Sequence, residues 1–202
     1  YTATATKAMS DNLVQPLPNP SDQFNASVAR YFAKQNPKAI KKAAILASNI
    51  ETATVQADRI KEAYEKAGFT FVYTKYTGVV QESYASEARE MKKKGVQYFM
   101  MVSAVSELNK VLRDMKTQGV DPEVIDLGQQ YYDPELLAEP GAEGAIVQLN
   151  TVPFEEAKQS KALQAYLQAY DNVQEDNKPK ATSLGVQSFS AGLLWATAVK
   201  KV

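Results

Sequence analysis

Between Lys41 and Leu149 the chain alternates short apolar runs with longer stretches in which apolar residues recur at helical spacing. The runs at 43–47, 69–73, 96–102, 124–127 and 145–147 read as buried strands. A first helix is predicted from Ser21, an N-cap, through Phe24, Val28, Tyr31 and Phe32 to about Gln35, and Asn36-Pro37 ends it. Strand 43–47 exits into Ser48-Asn49-Ile50-Glu51-Thr52, and a helix follows with Val55, Ile60, Tyr64 and Ala67 on or near one face and Gly68 at its end. Strand 69–73 leads into a loop over 75–78. Residues 83–94 are predicted helical, closing on three lysines with Gly95 just beyond. The helix dipole accounts for lysines placed there, so they read as a helix end and not as a phosphate site. A helix over 105–118 turns Leu108, Val111, Leu112 and Met115 inward, and Gly119 stops it. Asp133-Pro134 opens a short helix, with aspartate as cap and proline at the first position, and Gly144 introduces the last strand. Beyond Leu149 the strands cease. One amphipathic helix is expected over 154–170, a polar loop over 173–182 and a final helix over 184–202.

Strands alternating with helices predict an α/β fold: a parallel sheet covered by helices on both faces, in three layers. Such sheets take ligands at the carboxyl ends of their strands. The site is therefore expected in the strand-exit loops.

Composition then narrows the chemistry. The 202 residues suffice for a sizeable core. The 23 lysines and arginines balance the 23 aspartates and glutamates, so no charge excess points to nucleic acid or an anionic membrane. Cysteine and histidine are absent, which excludes disulfides, thiolate nucleophiles, Cys/His metal sites and a Ser-His-Asp triad. A cysteine-free chain suits export and is also found in the cytosol. No apolar run reaches the length of a membrane span.

No strand leads into Gly-x-Gly-x-x-Gly, and neither a phosphate loop nor a Gly-x-Ser-x-Gly elbow is present. The acids are scattered, with no pair set apart as general acid and base. Asp126, inside an apolar strand, is the one local oddity: a site residue, or one that sits at an edge or accepts a hydrogen bond. Four exits carry uncharged hydrogen-bonding groups and aromatics: Ser48, Asn49 and Thr52; Tyr76 and Thr77; Ser103; and Gln129, Gln130, Tyr131 and Tyr132. Helix amino termini beside hydroxyls suit a carboxylate or another small polar ligand. The same side chains are equally ordinary helix caps.

The ordered motifs resemble a known family. They are Pro18-Asn19-Pro20-Ser21-Asp22-Gln23 before an amphipathic helix, the strand Ala43-Ala44-Ile45-Leu46-Ala47, a helix ending Ala67-Gly68-Phe69, and Gly95-Val96-Gln97-Tyr98-Phe99. Leu112-Arg113-Asp114-Met115-Lys116-Thr117-Gln118-Gly119, Tyr132-Asp133-Pro134-Glu135, Gly141-Ala142-Glu143-Gly144 and the helix at 188–198 continue the set. Together they resemble type I periplasmic binding proteins, the solute-binding components of branched-chain amino acid, amide and urea ABC transporters.

The resemblance implies two α/β lobes joined by three crossings, with a ligand in the cleft. Residues 1–17 would be a first-lobe remnant and crossing, 18–148 the second lobe, and 149–202 a crossing and helices returning to the first lobe. Most of the first lobe would be missing, so the chain is expected to be a fragment or a partial record of a longer protein. It implies a non-enzymatic receptor without cofactor or metal. The receptor would be periplasmic or extracellular, with a lipid anchor at a missing N-terminus as one form. Its partners would be a small solute, an amino acid or amide, and a membrane permease. The implied ligand-binding residues are Thr4 and Thr6 in a first-lobe loop, then Ser48, Asn49, Glu51, Thr52, Tyr76, Ser103, Ala104, Gln129, Gln130 and Tyr131. Where the family often has Tyr-Gly, this chain has Asn49-Ile50-Glu51. Glu51 there would meet an amino group or stand as a solvated first-turn acid. A ligand sensor of the same fold, signalling through a partner, is the alternative.

Overall fold

The computed structural model describes residues 26–173, 178 and 180–200. Five strands form one sheet: β1 (Ala43–Ser48), β2 (Phe71–Thr77), β3 (Tyr98–Val102), β4 (Val124–Leu127) and β5 (Ile146–Val147). Their order is β2-β1-β3-β4-β5 and every pairing is parallel. The helices are α1 (Ser27–Gln35), α2 (Glu51–Lys66), α3 (Ala85–Lys94), α4 (Val105–Gln118), α5 (Pro134–Leu137), α6 (Lys161–Asp171) and α7 (Ser183–Val199).

Side chains alternate across a strand, and the two cores follow that parity. Ala44 and Leu46 of β1, with Phe99 and Met101 of β3, face α3 and α4 through Ala88, Met91, Leu108 and Leu112. Ala43, Ile45 and Ala47, with Tyr98, Met100 and Val102, face α1 and α2 through Phe32, Ala57, Ile60 and Tyr64. This second core is aromatic. Phe32 and Phe69 meet the Tyr98 ring edge-on at 5.3 and 4.9 Å, and Tyr64 meets Phe69 at 4.8 Å. Helices α3 and α4 end in the same way. Gly95 and Gly119 take φ values of 63° and 66°, and the next amide returns to the carbonyl of Met91 or Met115. Only glycine adopts that turn without strain.

The structure shifts several expected elements. The second strand lies at Phe71–Thr77 and not at 69–73. After Gly68 the Phe69 amide donates back to the Tyr64 carbonyl, which turns the ring under α2 before pairing with β1 begins. This strand is the sheet edge, with Thr74, Lys75 and Tyr76 exposed, so it is not buried, and 75–77 is strand where a loop was expected. The single helix expected over 154–170 is two elements. A 3₁₀ segment, Phe154–Gln159, stops at Ser160, whose side chain then caps α6. Helix α1 begins at Ser27, and the expected cap Ser21 lies outside the described residues. Among the described residues no helix is long and apolar enough to cross a membrane.

Candidate functional site

The strand order dictates where the sheet opens. From β1 the chain moves to β2 through α2 on one face. From β3 it moves the opposite way, to β4, through α4 on the other face. The two connections diverge at the carboxyl ends of β1 and β3, the topological switch point where open α/β sheets bind ligands. Ser48 ends β1 and Ser103 follows β3, and their hydroxyl oxygens are 2.7 Å apart. The residues at the cap positions of the two helices are Ile50 and Ala104, and neither helix has a side-chain cap. Ser48, Asn49, Thr52 and Ser103 are thus not the caps of these helices. Two uncapped helix amino termini, each with its partial positive charge, flank one pair of hydroxyls.

The remaining sequence candidates divide. Thr4 and Thr6 lie outside the described residues. Asn49, Glu51 and Thr52 are exposed at the start of α2, where the Asn49 amide donates to the Thr77 carbonyl at 2.7 Å. Ala104 is exposed at the start of α4. Gln129 and Gln130 lie in a 3₁₀ turn, Gln129–Tyr131, directly after β4. Gln130 folds its amide over Gly128, where a Cβ would stand 2.5 Å from the amide oxygen and push that side chain aside.

Two tyrosines expected to line the cleft do other work. Tyr131 is wholly buried: its hydroxyl accepts from the Ser103 amide at 2.8 Å and donates to the Met101 carbonyl at 3.2 Å. It props the β3 exit from beneath, and burial pushes its pKa up. Tyr76 stands on the edge strand and donates to Asp58 of α2, away from the serine pair. Burial, and then Asp58, push its pKa up to about 12.

Asp126 is a buried acceptor. Its carboxylate takes the hydroxyls of Tyr98 at 2.6 Å and Tyr64 at 2.9 Å, and the Gln148 amide at 2.6 Å. Burial raises its pKa, and these three donors oppose the rise. The carboxylate joins α2, β3 and the segment after β5, which is a structural task. Glu107 in the first turn of α4 behaves in the opposite way. Burial raises its pKa, but hydrogen bonds from Lys110, the Gln81 amide and Tyr84 outweigh it, and the net shift is downward.

Sequence reasoning missed the contribution of α7. Its Ser183 hydroxyl donates to the Gln129 carbonyl at 2.6 Å, which seats the helix against the β4 exit. Gln187, one turn on, is buried with neither amide atom partnered. Nothing in the residue spacing marks either position. A hollow of about 470 Å³ lies at the other end of β4, among Met115, Val120, Ile125 and Pro140. It sits at the amino end of the strand, beside the carboxyl end of α4 and away from the amino termini of α2 and α4. Among the described residues no group of carboxylates could hold a metal ion.

Comparison with known proteins follows this geometry. The family model described as "Periplasmic binding protein" matches residues 1–202. No curated protein matches the chain. An ABC transporter substrate-binding protein from Aeropyrum pernix superposes with a TM-score of 0.68 at 20% identity, covering 87% of this chain and 46% of that one. A leucine-binding protein from Thermotoga maritima gives 0.67 at 13% identity, covering 87% and 49%. A Rhodopseudomonas palustris ABC transporter solute-binding protein in complex with benzoate gives 0.65 at 13% identity, covering 84% and 44%. The chain spans about half the length of these proteins. At such identities the superpositions establish the fold, and the family model establishes membership: the chain belongs to the type I periplasmic binding protein family.

Proposed function

We propose that this chain is part of the extracytoplasmic substrate-binding component of an ABC transporter. It would hold a small polar solute, an amino acid or amide, in a cleft between two lobes. The observation that carries this reading is the Ser48–Ser103 hydroxyl pair at the switch point, between two helix amino termini without caps. Backbone amides and hydroxyls gathered there form a receptor for a carboxylate. Leucine and benzoate, named for two of the superposed proteins, both carry one. Glu51, exposed in the first turn of α2, would meet an ammonium group on the solute. Residues 18–148 would be the second lobe, and residues 1–17 and 149–202 would belong to crossings and to the first lobe. Closure of the lobes about the solute would present a face to a membrane permease.

Native mass spectrometry of the purified full-length protein tests the reading. A retained small adduct supports it and its mass identifies the solute. A protein that stays bare and binds nothing from a panel of amino acids, amides and aromatic acids overturns it. Ser103→Trp would fill the switch point and abolish solute binding without lowering the melting temperature. Unchanged affinity in that variant would remove the serine pair from the site.

A further inference from the structure

Residues 154–200 are tied to the sheet by polar bonds and not by a shared core. Leu163, Tyr166 and Val186 form an apolar cluster of their own, separate from the two cores that cover the sheet. Among the described residues, the hydrogen bonds that cross from 154–200 to the sheet side all reach one segment, 129–135, just past β4. The Ser183 hydroxyl donates to the Gln129 carbonyl at 2.6 Å. The Phe154 amide donates to the Tyr132 hydroxyl at 2.9 Å, and that hydroxyl donates to Glu155. Lys180 pairs with Glu135, and both side chains are half exposed.

This junction is also where buried polar atoms go unmatched. Buried side-chain oxygens and nitrogens are nearly always paired. Among the described residues the unpartnered ones belong to Asn109 in α4 and to Gln129, Thr151 and Gln187. Gln129 stands in the segment past β4, Thr151 in the connector 148–153, and Gln187 one turn beyond Ser183 on α7. Asn109 still donates to the Glu135 carbonyl, whereas Gln187 has neither amide atom partnered. In water all these groups would be hydrated. The contact therefore works against itself: the Ser183 and Lys180 bonds hold it shut, and the desolvated amides favour its release. A permanent contact has no such opposition, as Asp126 with its three donors shows.

We propose that the start of α7 and the segment 129–135 form a reversible latch, made as the cleft closes on solute and broken as it opens. Ser183 and Lys180 are the catch. Tyr132, bonded to Phe154 and Glu155 at the end of the connector, is the pivot. The unmatched amides of Gln187 and Gln129 are the spring that returns the empty receptor to its open form. This rests on the solute-receptor reading above, in which 129–135 belongs to one lobe and α7 to the other. Ser183 and Gln187, neighbours on one helix face, thus act on binding in opposite directions.

Titration calorimetry of the full-length protein with leucine, glutamine and benzoate, one from each class of the panel above, tests the latch. A residue that acts on closure alone changes the affinity of every solute by one factor, because it changes only the fraction of closed receptor. Ser183→Ala removes a hydrogen bond of the closed form and should weaken each solute that binds about fivefold. Gln187→Met keeps the size of the side chain, removes the desolvated amide, and should tighten each about fivefold. Lys180→Ala, at an exposed position, should weaken binding about twofold at low salt and not at high salt. Small-angle scattering of the solute-free Gln187→Met protein should give a smaller radius of gyration than the parent. Looser binding in Gln187→Met, unchanged affinity in Ser183→Ala and Lys180→Ala, or a factor that differs from solute to solute would each overturn the latch. In those cases the receptor reading stands as long as some solute binds. Binding of nothing from the panel would overturn both.

Discussion

The sheet with its covering helices and the two last helices differ in how far their own residues account for them. In the first region both faces of β1 and β3 are buried against helices, and side chains as large as Tyr64, Tyr98 and Phe99 are fully enclosed. In the second, only Leu163, Tyr166 and Val186 are buried as a cluster. Helix α7 has its Leu184, Leu193, Leu194, Trp195 and Val199 side chains exposed. A helix with apolar residues beyond one face is a helix meant to be covered on more than one side. Residues 27–147 thus read as a packing unit complete in itself. The last helices read as half of a contact.

Mutation can sharpen or break that contrast. Phe99→Ala, at the centre of one core, should cost about 4 kcal/mol on chemical denaturation. A loss near zero would mean that the sheet is not the stabilising unit. Asp126→Ala strips the acceptor from two tyrosine hydroxyls and the Gln148 amide, and should cost about 3 kcal/mol. Asp126→Asn, which keeps hydrogen-bonding capacity, should cost less. A smaller effect separates the two buried acids. Glu107 has a lowered pKa in the fold, so its stabilisation is present above the ordinary glutamate value and lost as pH falls through the folded value. Asp126 has a raised pKa, so its contribution is present below the ordinary aspartate value and lost as pH rises through the folded value. Denaturation of Glu107→Gln and Asp126→Asn across the acid range should flatten opposite limbs of the stability profile. Parallel changes would refute the opposed shifts. Smallest of all, Trp195→Ser in the 202-residue chain should change stability by less than about 0.5 kcal/mol, since the ring is 69% exposed. A loss of several times that would show α7 to be packed after all.

The same contrast explains what was legible in the sequence. The strands β1 and β3 were readable because both faces are buried, which selects a nearly unbroken apolar run. The edge strand β2 was misplaced because Phe69, although apolar, belongs to the turn beneath α2, while Lys75 and Tyr76 look like loop and are edge strand. The break at Ser160 did leave a trace, the polar run Lys158-Gln159-Ser160-Lys161 ending in a cap residue, which a single helix over 154–170 passes over. At the candidate site, the hydroxyls and amides at the strand exits could be read from their positions alone. Whether they cap helices could not, because that depends on side-chain direction and not on spacing. Tyr131 looked like a cleft residue for the same reason, and its ring turns inward. Gln187 carried no signal, since a lone glutamine on an apolar helix reads as solvated until its neighbours are known.

The strand order has a further consequence, for the making of the chain. β1 sits between β2 and β3, and both of its partners lie downstream in the sequence. All six of its residues are buried in the finished sheet. While the chain emerges, β1 therefore waits with two open edges until Thr77 and then Val102 have been synthesised. Helical crossovers must form before either edge can close, so pairing is non-local and slow relative to a hairpin. The most protected strand of the mature fold is thus the one most in need of protection during synthesis.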